Sequence, residues 1–286
     1  MKPYAVVIGG ANADIGGTPA GPLVAADSNP GKVSVSLGGV GRNIAESMAV
    51  QGLSVVLLTA LGRDVYAETI RKSCGNLGID TSHCVETPDG RTSTYLYIND
   101  CDGDMALAIV DTQLESCVTP EYLKRELSVI NGAAAVVADT NLSSEAMGYL
   151  LANAAPPVFV DPVSTVKAKR LEGLLGGIHT LKPNRLEAEC LTGIKINDGE
   201  SLKAAAGALI EAGLNRVFIS CGSAGVMAAD RQGMSFIPAR KARISCTTGA
   251  GDAFTGGLVK AYIDGLDRDA SAAYAMEYAL RFLENK

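Results

Sequence analysis

At 286 residues, 47% of them hydrophobic and 20% charged, the chain is long enough for one large domain or two ordinary ones with a substantial core. A formal net charge of −6 and the lack of any dense Lys/Arg run argue against nucleic acid or an anionic membrane surface as the main partner, while leaving room for a small ligand in a local site. No apolar run approaches the ~18 residues of a membrane-spanning helix, and seven scattered cysteines, odd in number and without a C-x-x-C pair, point to a reducing cytosol rather than a disulfide framework or zinc site.

The first element is the run YAVVIGG. It reads as a buried strand and not as a secretory leader, because only one Lys precedes it and the apolar stretch is short. Residues 16–37 follow, rich in Gly, Pro, Asp and Ser and ending in the alternating strand pattern KVSVSLGG. Next come an amphipathic helix over 42–51, a strand in SVVLLTALG and a helix over 65–77. Residues 91–110, RTSTYLYINDCDGDMALAIV, hold two alternating runs around a polar turn, which predicts a hairpin. Helices are then expected over 120–130, 143–153 and 200–212, spaced by the runs AAAVVADTN, PVFVDPV, IHTLKPN and RVFISCG.

Those short runs, β-branched and bounded by Gly, Asn, Asp or Pro, suit strands buried on both faces. Their alternation with helices implies an α/β fold built on a doubly wound, mostly parallel sheet. In such a sheet the ligand crevice lies beyond the carboxyl ends of the strands. Asn12, Asp14, Asp139, Asn141, Asp161, Asn184 and Ser220 all fall at such ends. Segments 16–37 and 91–110 do not fit the core. They are expected to form a discontinuous β lid on a single domain spanning 1–286.

Several polar motifs admit both a structural and a chemical reading. In GGANADIGG, Asp14 could accept bonds from two adjacent ribose hydroxyls, or with Asn12 it could close an Asx-type turn. LGGVGRNIA is a glycine turn opening a helix, with Asn43 either facing a polar ligand as donor and acceptor or capping locally. LKPNRLEAE places Glu187 three residues after Asn184, a capping-box spacing; the same pair could order water around Mg²⁺. ISCGSAG is a hairpin turn or the wall of a nucleotide site. His83 and His179 have no partner pattern and read as structural.

The most informative stretch is TTGAGDAFTGG, in which Gly249, Ala250 and Gly251 run into Asp252 at the mouth of a helix. Unpaired backbone N–H groups and the helix dipole favour an anion there, and glycine lets it approach closely. The turn could cradle a phosphoryl group in flight while Asp252 takes a proton from the attacking hydroxyl. The competing reading is a plain N-cap. Other nucleotide fingerprints fail: there is no G-x-x-x-x-G-K-[ST], and GGVGRNI lacks the last glycine of G-x-G-x-x-G.

Taken together and in this order, GGVGRN, the N-x-x-E pair Asn184 and Glu187, and TTGAGDAFTGG resemble the ribokinase-like (PfkB) family of carbohydrate and nucleoside kinases over nearly the whole chain. Within it, ADSNPGKV, GGVGRNIA, VFVDPVS and HTLKPNRLEAE are similar to the wording of pseudouridine kinases. The resemblance implies a ribokinase-like fold and transfer of the γ-phosphoryl of ATP to the 5′-hydroxyl of pseudouridine. It makes Asp252 the base and the backbone of Gly249, Ala250 and Gly251 the anion hole. It sets Asn12, Asp14, Gly39 and Asn43 on the ribose, with Ser28 and Asn29 near the base edge. Asn184, Ser220, Gly222 and Gly225 fall on the ATP side, Asn184 and Glu187 organise Mg²⁺ through water, and Lys182 is a lesser candidate for phosphate contact.

The same resemblance implies a homodimer joined through the lid and, as in many members, a response to a monovalent cation such as K⁺. The rivals are a ribokinase or another nucleoside kinase, and, from a different class, a non-catalytic nucleoside-binding sensor, against which the intact GAGD argues. One departure stands out. The family pattern continues through a small-residue helix, a loop beside the adenine and a final helix, whereas here AAYAMEYALRFLENK closes the sequence; a stretch on the order of a loop and a helix is expected to be missing, leaving either an absent loop or an abbreviated nucleotide pocket.

Overall fold

Alternate residues of the first strand, β1 (Tyr4–Ile8), enter opposite cores: Ala5 and Val7 join one buried cluster, Val6 and Ile8 the other. A strand that is apolar on both faces must be covered on both. In the computed structural model, which describes residues 3–87, 90–242 and 247–284, helices do so. The chain continues through β2 (Asn12–Pro19), β3 (Gly31–Gly38), α1 (Val40–Val50), β4 (Ser54–Leu58), β5 (Ala60–Leu61), α2 (Val65–Asn76), β6 (Ile79–Asp80), β7 (Val85–Glu86), β8 (Thr94–Asn99) and β9 (Met105–Asp111). There follow α3 (Pro120–Arg125), α4 (Leu127–Asn131), β10 (Ala135–Asp139), α5 (Ser144–Asn153), β11 (Val158–Asp161), α6 (Thr165–Ala168), β12 (Thr180–Leu181) and α7 (Arg185–Thr192). The last elements are α8 (Gly199–Glu211), β13 (Arg216–Ser220), β14 (Gly225–Asp230), β15 (Gly233–Pro238), α9 (Ala250–Ile263) and α10 (Arg268–Glu284).

Nine strands form the main sheet in the order β15-β14-β13-β12-β11-β10-β1-β4-β6. Pairings from β6 to β13 are parallel, and the β13-β14-β15 edge is antiparallel, so ISCGSAG is a hairpin turn. One core packs α1, α2, α9 and α10 on the sheet, and the other packs α3, α5, α7 and α8. This is the doubly wound α/β architecture expected from the alternating runs. The chain leaves β1 toward β4 and later returns to its other side with β10, so the topological switch point lies at the carboxyl ends of β1 and β10.

The helix expected over 120–130 breaks into α3 and α4 at Glu126, whose carboxylate is tied to Nδ1 of His83 at 2.7 Å. His179 stacks with Phe159 and Tyr262, and burial pushes its imidazole down to about 4, with Arg216 adding to the effect. Both histidines therefore have structural partners. Among the described residues no helix is long and apolar enough to cross a membrane, and Cys74, Cys84, Cys101, Cys117, Cys190 and Cys221 are unpaired.

A second, four-stranded sheet has the order β3-β2-β8-β9. It draws on the two segments that broke the alternation, but β2 starts at Asn12, directly after β1. Register puts Val35, Ile15, Leu96 and Ile109 on one face, and Val33, Gly17, Ile98 and Leu107 beside them. That face is open: Val33 is 73% exposed and Ile109 59%. The opposite face carries Asp14, Ser36, Tyr95 and Tyr97.

Candidate active site

The site is built where the roots of the small sheet meet the switch point. Asn12 opens β2, and its amide donates to Oδ1 of Asp14, whose carboxylate lies against Gly38. Burial raises the Asp14 carboxyl, while the Asn12 hydrogen bond and the charge of Arg42 pull it down. Gly39 is the N-cap of α1, and Asn43 follows one turn later. Behind them the backbone N–H groups of Gly10 and Asn141 donate to the buried Asp139 carboxylate, each at 2.9 Å. Burial pushes Asp139 up to about 6, against those two bonds.

The opposite wall is the start of α9. Gly249 is its N-cap with φ +83°, a left-handed conformation that glycine adopts without a Cβ clash. No side chain caps this helix. Asp252 instead turns its carboxylate across to α1, where Nδ2 of Asn43 donates to Oδ2 at 2.9 Å. The capping alternative therefore does not describe Asp252. Its carboxyl is pushed up to about 7, chiefly by burial and next by the charge of Asp161; the Asn43 bond and Lys182 oppose the rise.

Lys182, just past β12, lies beneath this turn. A Cβ built on Gly251 would sit 3.1 Å from its Nζ. The ammonium is buried and pairs with Oδ2 of Asp161 at 2.9 Å. Burial opposes its charge, but Asp161 and, further off, Asp252 and Glu187 outweigh that and raise it. The side chain ranked lowest from the sequence thus stands at the centre, and Asp161 is its counter-ion. Asp161 is fixed in turn by the hydroxyl of Thr255 on α9, at 3.1 Å.

Asn184 and Glu187 form the capping box of α7: Glu187 N–H donates to Oδ1 of Asn184 at 2.9 Å, and Asn184 N–H to Oε2 of Glu187 at 2.8 Å. Glu187 is buried, which raises its carboxyl, and its second oxygen remains for another partner. An isolated parallel bridge joins Asn184 to Ser220, bringing these two sites side by side. Gly222 and Gly225 bracket the turn from β13 to β14.

A model of the pfkB family of carbohydrate kinases matches residues 2–281. The chain belongs to that family. It is 42% identical over 276 residues to a pseudouridine kinase of Escherichia coli (strain K12), covering 96% of this chain and 88% of that protein. An uncharacterized sugar kinase of the same strain is 36% identical over 278 residues, covering 96% of this chain and 77% of the other. Among solved structures, a ribokinase from Arabidopsis thaliana complexed with ribose and ATP superposes with a TM-score of 0.88 over 99% of this chain and 93% of that one, at 22% identity, which shows the shared fold.

Not every expected residue of this pfkB kinase converges. Ser28 and Asn29 sit in the exposed loop between β2 and β3. Asn29 is spent on Val24 and Asp27, and Ser28 N–H donates to the Asp27 carboxylate. Among the described residues no hydrogen bond links either to Asn12, Asp14, Asn43 or Asp252. Sequence reasoning also passed over Glu115 and Lys167. Lys167 donates to Oδ1 of Asn141 and lies 3.7 Å from Glu115, beside a small cavity lined by Gly9, Ala11 and Ser93. Burial pushes Glu115 up to about 7 in spite of Lys167. A Lys and a Glu in weakly patterned segments carried no local signal for this pairing.

Proposed function

We propose that this kinase transfers the γ-phosphoryl of ATP to the 5′-hydroxyl of pseudouridine. The observation that carries phosphoryl transfer is the Asp252 carboxylate, half-buried at the N-terminus of α9 and held from one side by Asn43. The substrate is supported by 42% identity to a pseudouridine kinase along 96% of the chain.

In this reading Asp252 accepts the hydroxyl proton as the oxygen attacks Pγ, and the bond from Pγ to the bridging oxygen breaks to release ADP. A carboxyl poised near 7 is suited to that exchange at neutral pH. The backbone N–H groups of Gly249, Ala250 and Gly251, with the α9 dipole, receive the charge on the moving phosphoryl group. Lys182 adds a fixed positive charge below the turn. Asn12, Asp14, Gly39 and Asn43 hold the ribose, and Asn141 with Lys167 offers polar groups beyond it.

Ser220, Gly222 and Gly225 border the nucleotide. Mg²⁺, when bound, neutralises phosphate charge. Among the described residues no set of three or more His, Cys, Asp or Glu side chains could hold it, and Asn184 and Glu187 each spend one atom on the α7 cap. That donor set fits an ion carried on phosphates and reached from Glu187 through water.

The four-stranded sheet acts as a lid that excludes water during transfer. Its open apolar face fits a second copy of the chain, giving a homodimer through the lid. A panel of pseudouridine, uridine, cytidine, adenosine and ribose, each with ATP and Mg²⁺, tests the assignment. The highest kcat/KM is expected for pseudouridine; a higher value for ribose or adenosine would overturn it.

A further inference from the structure

Arg42 of GGVGRN lies in the first turn of α1 and has so far entered only through its charge near Asp14. It is 7% exposed, a rare condition for a guanidinium. One Nη1 contact is the salt bridge to Oε2 of Glu46 at 2.6 Å, and Nη2 donates to Oγ of Ser73 on α2 at 3.1 Å. Nη1 also donates to Oδ1 of Asn43 at 3.2 Å. Among the described residues its Nε–H is buried without a partner. A native protein leaves few such groups, and each calls for a reason.

The bond to Asn43 has a consequence on the far side of the amide. A guanidinium can only donate, so the Asn43 atom facing it must be the carbonyl oxygen. The amide NH₂ is then the group turned toward Asp252, and an ionised carboxylate can only accept. The two constraints agree with the 2.9 Å bond from Nδ2 of Asn43 to Oδ2 of Asp252. Among the described residues no other hydrogen bond reaches the Asp252 carboxylate, so Oδ1 is left for a substrate. With the amide reversed, its carbonyl would repel the carboxylate and accept a hydrogen bond only from the neutral acid.

We propose that Arg42 is a positioning residue for the acceptor side of the site: it locks the Asn43 amide in the one orientation that donates to the Asp252 carboxylate and leaves Oδ1 open to the attacking hydroxyl. The role rests on the reading of Asp252 as the base. Arg42 acts through Asn43 and touches neither reacting atom. The other charged groups facing Asp252 are Lys182, Asp161 and Asp139, and those facing Arg42 are Glu46 and Asp14, with the Cys74 thiol nearby.

The test compares Arg42→Met with Glu46→Gln and Ser73→Ala, which cut the ion pair of Arg42 and its bond to α2 while sparing Asn43 and the Leu37 carbonyl that Nη1 also reaches. Three quantities are read: the melting temperature, kcat with pseudouridine, and the titration of the Asp252 carboxyl by ¹³C NMR in the ligand-free enzyme. Arg42→Met should lower kcat about ten- to a hundredfold, the scale of a misplaced reacting group. It should also move the Asp252 titration upward by about one unit, as expected when a carboxylate loses a fixed donor. Glu46→Gln and Ser73→Ala should leave the titration in place even where they lower the melting temperature.

A folded Arg42→Met enzyme with wild-type kcat and an unmoved titration would overturn the proposal. If the Met variant does not fold, Arg42→Lys decides in the same way, since it keeps a charge beside Glu46 and gives up the planar fork that reaches Asn43. The titration needs no substrate. Its shift in an enzyme inactive on pseudouridine would support the relay and remove the substrate assignment, and its absence in an active enzyme would remove the relay alone.

Discussion

Replacing Asp252 by asparagine should make the protein more stable and nearly inactive at once. The carboxyl is lifted from 3.8 to about 7, mainly by burial. A raised carboxyl means that the folded state binds the proton more tightly than the unfolded chain, so stability is greatest at acid pH and falls as pH rises from about 4 through 7. Three units correspond to roughly 4 kcal/mol at 1.36 kcal/mol per unit. Partial access to solvent reduces this to about 2–4 kcal/mol above pH 8. Asparagine carries no charge and can still accept from Nδ2 of Asn43, so the variant escapes that cost. Its melting temperature should match wild type near pH 4 and exceed it by roughly 5–15 °C at pH 8, using ~2–4 °C per kcal/mol for a chain of this size. Turnover at pH 8 should fall by ~10²–10⁴, the span of a positioned general base. Calorimetry from pH 4 to 9 with kcat on the same preparations measures both. Parallel melting curves would refute the burial argument, and near-normal turnover would remove Asp252 from the mechanism.

Lys182→Met leaves the buried Asp161 carboxylate without its counter-ion and should cost about 3–5 kcal/mol at neutral pH; an unchanged melting temperature would show that the pair is not needed. Amide exchange in β2, β3, β8 and β9 should slow on binding pseudouridine, and unaltered exchange at saturation would count against closure of the small sheet. Ile109→Glu, placed on its open apolar face, should shift sedimentation toward the monomer with little loss of thermal stability, whereas an unaffected dimer would place the interface elsewhere.

The sheet was legible because its strands are continuous apolar runs ending in polar residues. YAVVI, AVVAD and VFVD are buried on both sides, as that pattern requires. Asp252 and Asn184 were legible because glycine turns and capping boxes are local. What joins the site is not local: Asn43 meets Asp252 across 209 residues. Lys182 reads as one polar residue after a two-residue strand, and only folding sets it under Gly251 against Asp161. Arg42 looks like an ordinary exposed helix charge until α2 covers it with Ser73. Ser28 and Asn29 went the other way. Their polarity suggested a ligand, but the Asn29 amide closes its own loop, and Ser28 contributes its backbone N–H to the Asp27 carboxylate.

Asn12 and Asp14 stand at the start of β2 and Gly39 follows the end of β3, so the residues proposed for the ribose lie at the root of the small sheet and not at its tip. If the proposed closure occurs, a nucleoside seated there would act on the short arm of a lever, and a small shift at the root would be magnified toward the far end of the long strands. The free energy of closure would then come from the sugar, which is common to many acceptors. On that reading the reaction would be ordered, with the nucleoside entering before the nucleotide, which product-inhibition kinetics can test. Such an arrangement would also allow the tip to vary without rebuilding the root.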